Sequence, residues 1–305
     1  MNSVADMSAA VMRGDGRIAL ERVPVPRPGA KEVCVRLEGC GVCASNLPVW
    51  AGRPWFNYPM DPGSPGHEGW GEISALGDEV EEFKVGERVA LLSGRAYAGY
   101  DVAEAEAIAR IPANAENMLL PGEPLACAMN IFRRSQIEPD QWVAIVGVGF
   151  IGALLVQLAA NAGARVIALS RRPYALEVAR QCGAAHTFAT DDRHAAIGAV
   201  RELTSGAACE RVIEAAGEQV TLDIASAISA EGGRLMIAGY HQDGPRTVDM
   251  QQWNWRGLDV INAHERDPKV AARGLREAMD AVREGRLDPA ALLTHRMPLD
   301  RLSNA

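Results

Sequence analysis

The 305-residue sequence lacks several features that would assign it to a specialised class of protein. It has no excess of positive charge: the formal net charge of −8 gives no support to binding of nucleic acids or anionic membranes, which favour a basic face. No stretch approaches the ~20 apolar residues of a membrane-spanning helix. Residues 1–14 also lack the basic start and the apolar run of a signal peptide. We therefore predict a cytoplasmic protein that acts on small molecules, without nucleic-acid or membrane partners.

Cysteine is scarce, and its spacing forms no regular framework. The chain has six cysteines, and in a protein of this size without a secretory signal their use in metal binding or catalysis is favoured over disulfides. Cys40 and Cys43 have the C-x-x-C spacing of a metal or redox pair. The alternative for Cys40, and for most of the other cysteines, is a small buried hydrophobic side chain.

The length favours two domains, and the chain changes character near residue 135. Before that point, short strand-like runs are broken by Gly and Pro, as in an all-β or barrel-like domain. These runs lie at 17–23, 32–38, 69–76 and 88–92. We predict a first domain over residues 1–135, completed by 287–305, with residues 295–299 as a strand that returns to it.

From residue 140 onward, apolar strands alternate with helices. The predicted strands are 142–146, 165–169, 211–214, 234–238 and 259–262, and the predicted helices are 151–162, 175–182 and 269–284. Alternating β and α elements indicate a parallel, doubly wound sheet. The sequence therefore predicts an α/β domain of the Rossmann type over residues 136–286.

A glycine-rich segment follows the first of these strands and opens a helix. It reads Gly147-Val148-Gly149-Phe150-Ile151-Gly152, a G-x-G-x-x-G pattern in the strand–turn–helix context of a dinucleotide site. The first glycine permits the tight turn, the second lets the backbone approach a pyrophosphate, and the third permits close packing of helix and strand. The alternative is a turn that only requires glycine.

The residues that follow the second predicted strand of this domain, 165–169, indicate whether the site binds NAD or NADP. NAD sites place an acid there for the ribose 2′-hydroxyl, but this chain has Ser170, Arg171 and Arg172. A hydroxyl and two guanidinium groups suit a 2′-phosphate, because arginine matches phosphate geometry as a fork. We predict NADP(H) in preference to NAD(H). The alternative is that both arginines are solvated loop charges.

Candidate metal ligands lie in the first domain. His67 and Glu68 follow Gly66, and Cys43 lies about two dozen residues earlier in the segment 39–46. Zinc binds thiolate, imidazole and carboxylate ligands, and a catalytic site uses three protein ligands and one open position. Cys43, His67 and a carboxylate would supply this set. Taken singly, the cysteine could be a buried hydrophobic residue and the histidine a structural one.

These motifs, in this order and over nearly the whole chain, resemble the zinc-dependent medium-chain alcohol dehydrogenases. The resemblance lies in Gly-His-Glu-x-x-Gly-x5-Gly-x-x-Val from Gly66, in Gly-Val-Cys-x-Ser from Gly41, and in the Rossmann pattern. The segment 123–125, Glu-Pro-Leu, resembles the polyol, sorbitol and threonine dehydrogenase branch. The family implies a GroES-like catalytic domain, a Rossmann domain, and an active site in the cleft between them.

The resemblance assigns roles residue by residue. Cys43 and His67 match the zinc ligands, and Glu68 matches an acid that is a ligand or a near neighbour of the metal. Glu123 matches a carboxylate that approaches the metal or its water, with Cys127 as a rival third ligand.

Two further positions of the same segment carry family roles. Ser45 matches the hydroxyl that bonds the substrate oxygen and relays its proton. Asn46 replaces the aspartate that usually orients the zinc-bound histidine.

The chain also departs from the family pattern. It has no four-cysteine lobe between Leu92 and Ile111, so we predict one catalytic zinc and no structural zinc. The histidine that often ends the proton relay is absent, and Pro48 and Val49 occupy that stretch. Relatives continue beyond residue 305, so we expect either a trimmed domain or an incomplete chain.

The resemblance implies hydride transfer between NADP(H) and a secondary alcohol or ketone, in a homodimer or homotetramer. Polar loops at 240–243 and 262–267 and aromatic residues favour a sugar, polyol or cyclitol, although they could equally be exposed loops or subunit contacts. The aromatic residues are Trp50, Trp55, Tyr97, Trp253 and Trp255. Two other functions stay open, a zinc-free NADPH reductase of quinones or enones and a non-catalytic NADPH-binding protein.

Overall fold

Two kinds of β-sheet occupy different parts of the chain in the computed structural model, which describes residues 5–242 and 244–305. One compact unit comprises the described residues up to 126 together with 267–283 and 293–305, and a second comprises 127–266 and 284–292. The predicted domains, 1–135 with 287–305 and 136–286, stay a prediction, because a compact unit is not in itself an independently folding domain.

The first unit contains antiparallel strands. β1 and β2 form a ribbon, and the other five form a sheet in the order β6-β3-β4-β5-β7. The strands are β1 (Asp6–Met12), β2 (Ile18–Pro24), β3 (Glu32–Gly41), β4 (Glu68–Leu76), β5 (Arg88–Leu91), β6 (Tyr100–Glu104) and β7 (Ile108–Arg110). A short helix, α1 (Leu47–Trp50), follows β3. The predicted strand at 295–299 is wrong. Residues 294–298 are exposed and Pro298 offers no N–H, so this segment has neither a buried face nor a full set of ladder donors.

A buried apolar layer holds the five-stranded sheet together. Val33, Val35, Ile73, Val89 and Leu91 are fully buried within it. Burial of one such side chain stabilises the fold by about 1.5–3 kcal/mol. Successive side chains of a strand point to opposite faces of the sheet, so Val33 and Val35 share one face, as do Val89 and Leu91.

The second unit contains a six-stranded parallel sheet in the order β10-β9-β8-β11-β12-β13. Its strands are β8 (Trp142–Val146), β9 (Arg165–Ser170), β10 (His186–Ala189), β11 (Cys209–Glu214), β12 (Ser229–Ile237) and β13 (Asp259–Asn262). Its helices are the C-terminal part of α2 (Gly122–Ser135), α3 (Phe150–Asn161), α4 (Pro173–Gln181), α5 (Arg193–Leu203), α6 (Gln219–Ala227) and α7 (Met250–Arg256). This strand order is that of the doubly wound dinucleotide-binding fold, which confirms the predicted class.

Helices cover both faces of this sheet, as the side chains of β8 show. Val143 and Ile145 pack in one apolar cluster with α3 and α4, whereas Ala144 and Val146 pack in another with α5 and α6. A strand buried on both faces reads as a continuous apolar run, which is why β8 was recognisable in the sequence.

The last helix, α8 (Pro268–Arg283), belongs to the first unit. Its apolar face is buried, and the Arg276 guanidinium donates a hydrogen bond to the Glu106 carbonyl at 3.1 Å. Among the described residues, none of the helices is both long enough and apolar enough to traverse a lipid bilayer.

Candidate active site

Cys43 lies just after β3, where the strand gives way to a helical turn. It precedes the 3-10 turn Ala44–Asn46, and the Asn46 N–H donates to the Cys43 carbonyl at 3.0 Å. This closed turn ends the extended chain and fixes the backbone from which the thiol projects. The Cys43 side chain is half-buried.

His67 and Glu68 stand at the start of β4, the neighbour of β3. Gly41 is the register partner of Glu68, so the end of β3 lies beside the beginning of β4. The ligand atoms of Cys43, His67 and Glu68 all lie within 4.8 Å of one another. Within the described residues, this thiol, imidazole and carboxylate therefore form a cluster with the spacing and the donor chemistry of a zinc site.

A backbone carbonyl orients the His67 ring. The Nδ1 atom lies 2.8 Å from the Pro65 carbonyl oxygen, which can only accept a hydrogen bond, so Nδ1 carries the proton. The neutral ring then has its free lone pair on Nε2, the form that binds metal. The Pro65 carbonyl orients the ring through Nδ1 and leaves Nε2 for a metal ion. His67 therefore fits the role of a metal ligand without a side chain that orients it.

The Glu68 carboxylate is buried over a glycine. A Cβ atom at Gly41 would lie 1.8 Å from Glu68 Oε2, so any other residue there would force the carboxylate to move. Burial, reinforced by the neighbouring Cys43 and Glu123, raises the pKa of Glu68 to about 8. A bound cation would favour the charged form of the acid, so this carboxyl is suited to a site that carries positive charge.

Two further candidate ligands lie on one helix outside this cluster. Glu123 is in the first turn of α2, near enough for its charge to contribute to the raised pKa of Glu68. Gly122 makes this approach possible, because a Cβ atom there would lie 2.7 Å from the Leu91 carbonyl oxygen of β5. Cys127 follows Glu123 by one helical turn and belongs to the second unit.

Ser45 and Cys40 flank Cys43 in different environments. Ser45 is half-buried in the 3-10 turn. The Cys40 side chain packs against an apolar cluster around Met12, Val49 and Tyr97. Burial raises the pKa of the Cys40 thiol, which therefore stays protonated. The structure thus brings Cys43, but not Cys40, into the cluster with His67 and Glu68.

The glycine-rich turn in the second unit joins β8 to α3. Gly147 has φ of 102°, a conformation that favours glycine, and a Cβ atom at Gly152 would lie 2.1 Å from the Gly147 carbonyl oxygen. A Cβ atom at Gly149 would meet no protein atom within 4 Å. No side chain caps the first turn of α3, which Phe150 and Ile151 begin, so its N–H groups are available to an anion.

Three polar side chains lie at the end of β9, Ser170 as its last residue and Arg171 and Arg172 directly after it. The Arg172 guanidinium donates to the Val148 carbonyl at 3.0 Å, and the Arg172 N–H lies 3.3 Å from Ser170 Oγ. Ser170 is buried, whereas Arg171 is exposed. The structure therefore brings Ser170 and Arg172 to the edge of the glycine-rich turn and leaves Arg171 free to meet solvent or an anion.

A buried acid shapes the adjacent loop. Glu214, fully buried at the end of β11, accepts hydrogen bonds through Oε1 from the N–H groups of Ala216 and Gly217 at 2.9 and 2.8 Å. Its Oε2 lies 3.0 Å from His241 Nε2. The turn it holds contacts the glycine-rich turn, since a Cβ atom at Gly147 would lie 2.8 Å from the Ala216 nitrogen.

Two family models match separate parts of the chain. The model of the alcohol dehydrogenase GroES-like domain matches residues 29–113, and the model of the zinc-binding dehydrogenase matches residues 151–281. The chain belongs to the zinc-dependent medium-chain alcohol dehydrogenases. It is accordingly an oxidoreductase of the alcohol dehydrogenase type, a family that uses zinc and a nicotinamide cofactor.

Individual relatives agree with this assignment. An alcohol dehydrogenase of Rhizobium meliloti is 32% identical over 212 residues, which cover 58% of this dehydrogenase and 62% of the relative, less than two thirds of its length. A sorbitol dehydrogenase of Bacillus subtilis is 28% identical over 268 residues, 77% of this chain and 75% of the relative. The solved structure of 2R,3R-butanediol dehydrogenase from Bacillus subtilis has a TM-score of 0.82 at 22% identity and covers 98% of this chain and 94% of its own. At that identity it shows the shared fold alone.

The aromatic residues considered for the substrate site differ in exposure. Trp50 and Trp55 of the dehydrogenase are 37% and 61% exposed, and Trp255 is 87% exposed. Tyr97 is only 2% exposed and cannot line an open cleft. Trp253 is half-buried and donates through Nε1 to Ser226 Oγ at 3.1 Å. Asp243, at the end of one predicted polar loop, lies outside the described residues.

Several residues that shape these sites were not singled out in the sequence. The glycines Gly41 and Gly122 make room for a carboxylate and for a helix start, and Glu214 holds the loop beside the nucleotide turn. The two glycines contact distant parts of the chain, and Glu214 also contacts His241, 27 residues later, so no local pattern marks these roles. The sequence marks Gly41 only as a member of the C-x-x-C and Gly-Val-Cys-x-Ser segments, without indicating its contact with Glu68.

Proposed function

We propose that this protein is a zinc-dependent, NADP(H)-linked dehydrogenase that interconverts a secondary alcohol and a ketone on a sugar, polyol or cyclitol. The observation that carries the proposal is the cluster of Cys43, His67 and Glu68, with ligand atoms within 4.8 Å of one another. We further propose a catalytic domain over 1–135 completed by 287–305, and a nucleotide domain over 136–286.

One catalytic zinc, without a structural zinc, would be held by Cys43, His67 and a carboxylate. Glu68 is the carboxylate inside the cluster, Glu123, whose charge acts on Glu68, is the alternative carboxylate, and Cys127 is the rival ligand. Support comes from the donor set and from the His67 ring, whose Nδ1 is occupied by the Pro65 carbonyl. When bound, zinc supplies a Lewis acid that lowers the pKa of a substrate hydroxyl.

The protein's own groups would orient the substrate and move its proton. Ser45 presents a half-buried hydroxyl two residues after Cys43, where it can accept a hydrogen bond from the substrate alcohol and pass its proton towards solvent. In the metal-free site the pKa of Glu68 is raised to about 8, so binding of zinc by this carboxyl would release a proton near neutral pH. With Pro48 and Val49 buried in the stretch that follows Ser45, water is the remaining route for the substrate proton.

The second unit would bind NADP(H), which supplies the hydride donor or acceptor. Gly149 leaves the backbone open to a pyrophosphate, and the uncapped start of α3 offers N–H groups to it. Gly147 and Gly152 keep the turn tight, and Phe150 and Ile151 continue into the helix. Ser170, Arg171 and Arg172 would bind the 2′-phosphate, because no acidic residue occupies this strand end.

The substrate class rests on polar loops and on relatives. The sorbitol dehydrogenase of Bacillus subtilis is named for a polyol. Tyr240 and Trp255 are largely exposed and could serve as apolar surfaces against a sugar ring. We also propose a cytoplasmic homodimer or homotetramer that acts without nucleic-acid or membrane partners.

A substrate screen tests this function. Purified protein is assayed with polyols, sugars, cyclitols and simple secondary alcohols, with NADP and with NAD, before and after chelation and zinc reconstitution. We expect turnover of a polyol-class substrate that prefers NADP and is lost on chelation. Turnover of quinones or enones that survives chelation would instead identify a zinc-free reductase. Tight NADP binding without turnover on any substrate would identify a binding protein.

A further inference from the structure

Tyr97 connects the two chain segments that carry the candidate metal ligands. Cys43 and His67 lie on separate segments, one after β3 and one before β4, and neither segment alone fixes their separation. Tyr97 lies in the loop between β5 and β6, is 2% exposed, and contacts both segments. The side chain bonds one segment, and the backbone bonds the other.

The hydroxyl of Tyr97 reaches the Cys43 segment. It donates to Asn46 Oδ1 at 2.7 Å and lies 3.3 Å from the Gly41 carbonyl oxygen. Asn46 is itself buried, and its N–H donates to the Cys43 carbonyl at 3.0 Å. Loss of the hydroxyl would leave a buried amide oxygen without this partner, which costs more than loss of an exposed hydrogen bond.

The backbone of the same residue is bonded to the His67 segment. The Tyr97 N–H donates to the Gly63 carbonyl at 3.0 Å, and the preceding N–H, of Ala96, donates to the Gly66 carbonyl at 2.9 Å. Gly66, which immediately precedes His67, is packed so closely that a Cβ atom there would lie 2.3 Å from the Tyr97 nitrogen. Tyr97 therefore cannot move relative to His67 without breaking these contacts.

Asn46 stands where the family usually has an aspartate for the metal-bound histidine. Here the Nδ1 atom of His67 is bonded to the Pro65 carbonyl, and the Asn46 oxygen is bonded to Tyr97. We infer that Tyr97 is a positioning residue that, through Asn46, holds Cys43 at the distance from His67 that a metal requires. This inference rests on the proposed zinc site.

The test measures zinc affinity, by competition with a chromogenic chelator, in Tyr97→Phe and in Tyr58→Phe. Tyr58 is the matched control, because it packs in the same apolar cluster but its hydroxyl donates to the Val49 carbonyl of α1 at 2.7 Å rather than to residues 41–46 or 63–67. We expect zinc affinity to fall about 10- to 100-fold in Tyr97→Phe, the usual cost of losing an outer-shell partner. In Tyr58→Phe it should stay within about threefold of wild type. The melting temperatures of the metal-free variants should fall by similar amounts.

A double-mutant cycle with Asn46→Ala tests the same contact from its other partner, so the test does not depend on one variant alone. Asn46→Ala should weaken zinc binding to a similar degree, and addition of Tyr97→Phe should cause little further loss, because both remove the same link. Equal losses of zinc affinity in Tyr97→Phe and Tyr58→Phe, or additive losses in the cycle, would overturn the inference. Wild-type protein that fails to bind zinc would overturn the proposed function as well, and the wild-type titration identifies that case separately.

Discussion

The two candidate sites of this dehydrogenase are built in opposite ways. The nucleotide turn is local: one strand end, six consecutive residues and one helix start contain Gly147, Gly149 and Gly152. The metal cluster joins Cys43 to His67 and Glu68 across more than twenty residues, and it depends on the pairing of β3 with β4. A local site survives changes elsewhere in the fold, whereas an assembled site depends on every contact that sets its register.

The glycines of the two sites show the same difference. Gly41 makes room for a side chain of the protein itself, since a Cβ atom there would overlap the Glu68 carboxylate. Gly149 makes room for no atom of the protein, because its Cβ position has no neighbour within 4 Å. A glycine required by packing and a glycine required by a ligand should therefore respond differently to substitution.

The substitution with the largest expected effect should abolish the metal site and leave nucleotide binding intact. Cys43→Ser should lower kcat for alcohol oxidation about a thousandfold or more and abolish zinc binding, because the thiolate ligand is lost. NADP(H) affinity, measured by fluorescence titration, should stay within about twofold of wild type. Cys40→Ser is the matched control three residues away: it should cost about 1 kcal/mol of stability but retain zinc and activity. A loss of nucleotide binding in Cys43→Ser would show that the sites are not independent.

The next effect concerns the glycine-rich turn. Gly149→Ala should weaken NADP(H) binding about 10- to 100-fold, because the new methyl group would meet the pyrophosphate. Its melting temperature should match that of wild type, since the methyl group meets no protein atom. Gly198→Ala, on α5 with equally open surroundings, should raise stability by about 1 kcal/mol and leave nucleotide affinity unchanged. Unchanged affinity in Gly149→Ala would remove this turn from the nucleotide site.

A smaller effect tests the choice of nucleotide. Arg171→Ala should reduce the preference of kcat/KM for NADP over NAD by about tenfold, because one guanidinium contact to the 2′-phosphate is lost. Arg172→Ala should weaken both nucleotides, since its guanidinium also bonds the Val148 carbonyl of the glycine-rich turn. A wild-type preference for NAD, or equal effects of Arg171→Ala on both nucleotides, would contradict the NADP assignment.

The smallest effect concerns Glu68 in metal-free protein. Its pKa is raised to about 8, chiefly by burial, so between about pH 5 and 8 the folded state keeps a proton that the unfolded chain releases. The free energy of unfolding should therefore fall as the pH rises through this window, by at most about 1.4 kcal/mol for each pH unit. Glu68→Gln should remove this part of the pH dependence, as measured by urea unfolding at several pH values in the presence of a chelator. Identical slopes for both proteins would refute the account of Glu68.

The comparison also explains how far the sequence could predict the molecule. Strands such as β8 and helices such as α3 carry continuous or periodic apolar patterns, and the nucleotide turn has a local pattern, so all three could be identified directly. That Cys43 and His67 meet was expected from their ligand chemistry and from the family resemblance, because local spacing does not show which strands pair. The contacts of Tyr97 and Glu214 join distant segments, and neither residue has a distinctive neighbourhood in the sequence. The predicted strand at 295–299 is wrong because residues 294–298 are exposed and Pro298 offers no N–H to a partner strand.

The most direct measurement is X-ray absorption spectroscopy at the zinc edge of the zinc-reconstituted enzyme. The account predicts one sulfur neighbour per zinc at about 2.3 Å, with the remaining nitrogen and oxygen neighbours at about 2.0–2.2 Å. Two sulfur neighbours would show that a second cysteine replaces the carboxylate. A spectrum without sulfur, or a protein that retains no zinc, would contradict a metal centre built on Cys43 and His67.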